Sequence, residues 1–499
     1  MGSTANIQLP TQSEDEERNC MHAMQLLSSS VLPFVLHSTI QLDVFEILAK
    51  DKATKLSALE IVSHIPNCKN SDAATMLDRM LYVLASYSLL DCSVVEEGNG
   101  VTERRYGLSG VGKFFARDQD GASMGPLLAL LQDKVFIDSW FELKDAVLEG
   151  GVPFDRVHGV HAFEYPKLDP KFNDVFNKAM INHTTVVMKK ILENYKGFEN
   201  LKTLVDVGGG LGVNLKMITS KYPTIKGTNF DLPHVVQHAP SYPAMGSTAN
   251  IQLPTQSEDE ERNCMHAMQL LSSSVLPFVL HSTIQLDVFE ILAKDKATKL
   301  SALEIVSHIP NCKNSDAATM LDRMLYVLAS YSLLDCSVVE EGNGVTERRY
   351  GLSGVGKFFA RDQDGASMGP LLALLQDKVF IDSWFELKDA VLEGGVPFDR
   401  VHGVHAFEYP KLDPKFNDVF NKAMINHTTV VMKKILENYK GFENLKTLVD
   451  VGGGLGVNLK MITSKYPTIK GTNFDLPHVV QHAPSYPGTF IPNSCFIVL

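Results

Sequence analysis

One stretch near the end of the chain's first half has the residue types to hold a small ligand. It reads Asp206-Val207-Gly208-Gly209-Gly210-Leu211-Gly212, and Asp231 stands 19 residues beyond it. Glycines permit tight turning and close approach of backbone to a ligand. An acidic side chain at the end of the next strand can accept both hydroxyls of a ribose. Spacing narrows the choice. A dinucleotide fingerprint places glycine first, third and sixth, and the sixth residue counted from Gly208 is Val213. Here Gly208, Gly210 and Gly212 alternate, which suits a ligand with no pyrophosphate to seat at a helix N-terminus. S-adenosylmethionine fits that pattern better than NAD. A second set, Phe172, Phe176, Met180 and His183, recurs at steps of four, four and three and so lies on one helix face. Core packing and a ligand-facing wall both produce such a face. The seven cysteines show no CxxC or His/Cys ligand spacing, and no metal site is expected.

Both sets occur twice, because residues 1–243 recur without a substitution as 245–487. The second cradle is Asp450, Gly452, Gly454, Gly456 and Asp475, and the second helix face is Phe416, Phe420, Met424 and His427. The period is too long for a solenoid, whose units run to about 50 residues, so each copy is domain-sized. Each carries half of the 46 Lys+Arg and half of the 58 Asp+Glu, and the net charge of −12 opposes a nucleic-acid partner. The polar start, Met1 to Arg18, lacks a basic segment followed by an apolar one, so no signal peptide is expected. The apolar run Val31 to Leu36 is too short for a membrane, which takes about 20 residues. Unpaired cysteines without a secretion signal point to a reducing, cytoplasmic setting.

The elements that must position these residues follow from period and punctuation. Apolar residues from Cys20 to about Lys50 recur at helical spacing, with a break expected near Pro33 to give two helices. Ser57 and Glu60 form a capping-box pattern ahead of a short helix to Ile65. Ser71-Asp72 precede a stronger helix, Ala73 to Tyr87. Leu90–Val95 and Arg104–Leu108 read as a hairpin turning at Gly98-Asn99-Gly100. Helices are expected over 127–132, 136–149 and 171–195. After Gly197 the pattern becomes a buried strand, 201–207, the glycine loop, a helix over 213–222, a strand over 225–231, and a helix beginning at Leu232-Pro233-His234. The fold class expected is mainly α with α/β: a winged-helix-like unit plus an incomplete Rossmann-like unit, present twice.

Several segments together resemble one family. They are Ser30–Pro33, Met76–Leu81, Gln132–Lys134, Leu143–Val147, Ala162–Tyr165, Phe172-Asn173, Val175–Lys178, Leu204–Gly210 and Asn229–Val235. Each copy resembles the front two thirds of a plant caffeic acid or flavonoid-type O-methyltransferase. The resemblance implies dimerisation units at 20–120 and 264–364, and partial S-adenosylmethionine-dependent methyltransferase units at 121–243 and 365–487. A tail at 1–19, a linker at 244–263 and a non-family tail at 488–499 complete the division. It further implies that Gly208 and Asp231 contact the methionine part and the ribose of the cofactor. Phe172, Phe176, Met180 and His183 would line the pocket of a phenylpropanoid or flavonoid phenol. Leu211, Leu130-Leu131 and Pro166 depart from residues common in the family, which bears on the choice of phenol. The family's general-base histidine lies in a later segment with no counterpart here, so no catalytic residue is assigned and no turnover is expected. Implied partners are a small phenol and, through the N-terminal helices, a homodimer, an internal pseudo-dimer of the two copies, or a heterodimer with full-length relatives. A non-catalytic dimerisation or binding protein, and a mispredicted gene product, are the alternative readings.

Overall fold

The computed structural model describes residues 12–50, 54–97, 100–237, 239, 258–294, 298–340, 344, 346–480 and 489–490. The expected tail before Gln12, the turn residues Gly98-Asn99, the linker as far as 257, His238 and the tail beyond Phe490 lie outside them. In the first copy the helices are α1 Gln12–Leu27, α2 Val31–Gln41, α3 Val44–Ala49, α4 Ala58–Ser63, α5 Ala73–Ser86, α6 Gly125–Leu131, α7 Lys134–Trp140, α8 Leu143–Glu149, α9 Pro153–His158, α10 Pro170–Asn194, α11 Val213–Lys221 and α12 Pro233–Val236. Its strands are β1 Leu56–Ser57, β2 Leu90–Glu97, β3 Val101–Leu108, β4 Thr203–Val207 and β5 Lys226–Phe230. The second copy repeats them as α13 Glu258–Leu271, α14 Val275–Gln285, α15 Val288–Lys294, α16 Ala302–Ser307, α17 Ala317–Ser330, α18 Gly369–Leu375, α19 Lys378–Trp384, α20 Leu387–Glu393, α21 Pro397–His402, α22 Pro414–Asn438, α23 Val457–Lys465 and α24 Pro477–Val480. Its strands are β6 Leu300–Ser301, β7 Leu334–Glu340, β8 Thr346–Leu352, β9 Thr447–Val451, β10 Lys470–Phe474 and β11 Thr489–Phe490.

Local chemistry explains the boundaries, including those that differ from expectation. Pro33 does not break the first helix. It sits in the first turn of α2, where backbone N–H groups have no intrahelical partner to lose. The break falls at Ser28–Ser30, where the Ser29 hydroxyl donates to the Leu26 carbonyl at 2.7 Å and competes with the helix ladder. A second break comes at Asp43, whose φ of 56° is left-handed, so three helices stand where two were expected. Ser57 and Glu60 form the expected box: Glu60 N–H donates to Ser57 Oγ at 3.3 Å and Ser57 N–H to Glu60 Oε2 at 2.7 Å. Asp72 starts α5 without a side-chain cap; its own N–H is taken by Asn70 Oδ1 at 2.9 Å. The single helix expected over 136–149 is two, α7 and α8, and the bend at Phe141-Glu142 aims Trp140 and Phe141 at the other copy.

Each N-terminal half is a helical, winged-helix-like unit with a three-stranded sheet, ordered β1-β3-β2 and β6-β8-β7. Tyr106, fully buried on β3, donates its hydroxyl to Asp78 Oδ1 on α5 at 2.7 Å and ties wing to helix. Each C-terminal half is a small parallel sheet, β4-β5 in one copy and β9-β10-β11 in the other. The expected buried strand is buried on one side only. Leu204 packs with Met188, Leu192, Ile218 and Ile225 beneath α10 and α11, while Val207 is 74% exposed on the opposite face.

The two copies do not fold side by side as separate beads; they exchange N-terminal helices. Ala23, Leu26 and Leu27 of α1 lie in the core of the second copy with Leu276, Leu280 and Leu372. Reciprocally, Ala267, Leu270 and Leu271 of α13 lie in the core of the first with Leu36, Leu81 and Leu128. At the pseudo-twofold, Phe34, Ile137, Phe278 and Ile381 form a shared core. Phe34 stacks on Trp384 at 5.9 Å between ring centres, and Phe278 on Trp140 at 6.0 Å. Asn70 Nδ2 donates to the carbonyls of Ala390 and Val391, both at 3.2 Å, and Asn314 Nδ2 to those of Ala146 and Val147 at the same distance. Among the described residues no single helix is long and apolar enough to cross a membrane; two helix pairs reach the length and composition only together, bent by 44°.

Candidate cofactor and ring-binding site

β4 runs into the glycine loop, and α11 leaves it. Gly208, Gly210 and Gly212 take φ of 73°, 57° and 80°, a region closed to most side chains. The loop is held from β5. Asp231 Oδ2 accepts from Gly210 N–H at 2.7 Å, Asp231 Oδ1 accepts from Leu232 N–H at 2.7 Å, and Asn229 Nδ2 donates to the Gly210 carbonyl at 2.9 Å. Asp231 was expected to serve a ribose; in the structure it orders the loop, and each oxygen keeps one further lone pair. Gly209 is needed for space: an added Cβ would sit 2.1 Å from Asn229 Oδ1 and 2.7 Å from Asp206 Oδ2. Both of those oxygens are buried, and among the described residues neither has a hydrogen-bond donor. At Gly208 and Gly210 the corresponding space is open. The cradle therefore offers the remaining lone pairs of the Asp231 carboxylate and an open glycine rim, which suits a ligand bearing a positive charge and hydroxyl donors.

The second copy repeats this geometry. Asp475 Oδ2 accepts from Gly454 N–H at 2.7 Å, and Asn473 Nδ2 donates to the Gly454 carbonyl at 2.9 Å. Burial pushes the Asp450 carboxyl up from its ordinary value, against a hydrogen bond from Asn458. Gly452 and Gly456 have φ of 73° and 80°.

α10 carries the aromatic face. It starts at Asp169, whose Oδ1 accepts from Lys171 and Phe172 N–H at 2.9 and 3.1 Å, with Pro170 as the first helical residue. Phe172 is buried against Leu130, Phe136 and Tyr165, so it is part of the core. Phe176, Met180 and His183 are half-buried, and Phe416, Phe420, Met424 and His427 follow the same order on α22, with Met424 more exposed.

Comparison with known proteins agrees with both halves of the fold. The O-methyltransferase dimerisation domain family matches residues 24–118 and 268–362, and the O-methyltransferase domain family matches 140–269 and 384–491. Over 245 residues, 49% of this chain and 66% of the relative, the chain is 95% identical to cathecol O-methyltransferase 1 of Solanum lycopersicum. It is 56% identical to caffeic acid 3-O-methyltransferase 1 of Populus kitakamiensis over 246 residues, 49% of this chain and 67% of that protein. This chain belongs to the O-methyltransferase family. It spans about two thirds of the length of these relatives.

Within this family member two groups escaped the reading of the sequence. Asn229 sits two residues before Asp231 and so shares its strand face, a signal present in the period-two pattern. His158 is wedged between Phe154 and Tyr165, with ring centres at 4.5 and 4.8 Å, and donates through Nε2 to the Val135 carbonyl at 2.9 Å. Nothing local marked it. Behind α10, clefts of about 510 and 530 Å³ open beside Asp174 and Asn182 in one copy and Val419 and Asn426 in the other. Their charges are already paired, Lys178 with Asp174 at 2.7 Å and Arg117 with Glu46 at 3.8 Å, and they lie away from the Phe172 face.

Proposed function

We propose that each copy is the cofactor- and ring-holding part of a phenol O-methyltransferase, and that one chain forms its own two-fold unit without turning substrate over. The observation that carries the reading is the cradle: Asp231, bonded to Gly210 and Leu232 N–H, keeps a lone pair on each oxygen beside an open glycine rim. S-adenosylmethionine supplies a methyl group activated by a sulfonium, and its ribose hydroxyls are donors that the half-exposed Asp231 carboxylate can accept. Asp206, Gly208, Gly210, Gly212 and Asp231 would hold it, as would Asp450, Gly452, Gly454, Gly456 and Asp475. The half-buried Phe176, Met180 and His183, with Phe172 behind them, would face a flat phenol of the phenylpropanoid or flavonoid class; the relatives' names give catechol and caffeic acid.

Methyl transfer also needs a phenolate, because a phenol with pKa of about 10 is a poor nucleophile at neutral pH. It needs the oxygen held about 3–3.5 Å from the methyl carbon. On the α10 face the one imidazole among the described residues is His183, which serves as a ring contact in this reading. The dimerisation units, placed at 20–120 and 264–364, would be satisfied within one chain through the exchanged helices α1 and α13. The six described cysteines are free thiols and fit a reducing cytoplasm. Equilibrium dialysis and a radiolabelled methyl-transfer assay with caffeate and catechol test the reading together. Bound cofactor with no transfer above buffer is expected; steady product, lost on changing both Asp231 and Asp475, would overturn it.

A further inference from the structure

Residues 1–243 and 245–487 are identical, so any difference between the copies comes from their surroundings. One difference reaches the cradle. Thr489–Phe490 lies parallel to β10, with Thr489 opposite Gly471 and Phe490 opposite Thr472. The identical strand β5 pairs with β4 alone among the described residues. Gly471 and Asn473 are buried, whereas Gly227 is exposed and Asn229 half-buried. Leu459, whose side chain packs over Gly471, is fully buried, and its counterpart Leu215 is not. Phe230 is 64% exposed while Phe474 is half-covered.

Asn473 and Asp475 are the residues that hold the second glycine loop, so the added strand stiffens and dries the floor of that cradle alone. A floor ordered before binding spares the ligand that entropy, and a drier one strengthens attraction to a cation. We infer that the strand Thr489–Phe490 makes the two half-sites unequal, so that S-adenosylmethionine occupies the Gly452–Gly456 cradle at least about tenfold more tightly than the Gly208–Gly212 cradle. This rests on the cofactor-holding reading above.

The test uses the full chain in two arms. In equilibrium dialysis with radiolabelled S-adenosylmethionine, two classes of site are expected. Asp475→Ala removes the tight class, Asp231→Ala removes the weak one, and deletion of 488–499 leaves a single weak class. In hydrogen exchange, Thr228→Ser gives the β5 peptide its own mass, and β10 amides are expected to exchange more slowly than β5 amides until 488–499 is deleted. A single class of two equal sites, a tight class lost with Asp231→Ala, or equal exchange in both strands would overturn the inference and leave the cofactor reading standing. No binding at either site, with exchange still unequal, would overturn the cofactor reading and the inference with it.

Discussion

At Gly209 the constraint is room, not backbone conformation, and this separates it from its neighbours. Gly209→Ala with Gly453→Ala drives a methyl group into Asn229 Oδ1 and Asp206 Oδ2, so cofactor binding should fall by at least about tenfold in dialysis. Gly210→Ala meets open space but demands φ of 57°, so its cost should appear as about 1–2 kcal/mol of lost stability in urea unfolding. If the two substitutions behave alike, the cradle geometry is wrong. The alternating glycines and Asp231 were legible in sequence because turn, rim and acid are local features at fixed spacing. The bond of Asp231 to Gly210 was not, because it depends on how β5 lies beside the loop.

Elements were legible where a cap or a period marked them. The helical period over 171–195 marked α10, and removing its Asp169 cap in both copies, Asp169→Ala with Asp413→Ala, should cost about 1 kcal/mol per helix by urea denaturation. A loss below a few tenths would mean that packing of Phe172 and Phe416 alone sets the helix start. Pro33 misled because a proline forbids only the helix interior; its place in the first turn of α2 is set by the Ser29 back-bond upstream. The division of α7 from α8 was hidden for another reason. Trp140 and Phe141 continue the helical spacing of Phe136 and Ile137, and their partner Phe278 lies in the other copy. Across that seam, Asn70→Ala with Asn314→Ala removes the amide donors to four carbonyls and should cost about 1–3 kcal/mol per site in the same unfolding measurement.

Across the whole molecule, the repeat foretold two units but not how they share cores. His37 and His281 sit at that junction, each pushed down to about 4 by burial and by a lysine of the opposite copy, Lys388 and Lys144. The unfolded imidazole, near 6.5, binds its proton first, so stability is full above about pH 6.5 and is lost as pH falls toward 4. The slope should reach about 1.4 kcal/mol per pH unit for each histidine, and His37→Gln with His281→Gln should flatten it.

Sedimentation velocity of the intact chain at micromolar concentration tests most directly whether one polypeptide completes the two-fold unit. A single species with the mass of one chain is predicted, shifting to larger species when α1 is deleted and the core around Leu276 and Leu372 is laid open. A smallest species of two chains in the intact protein would contradict the account.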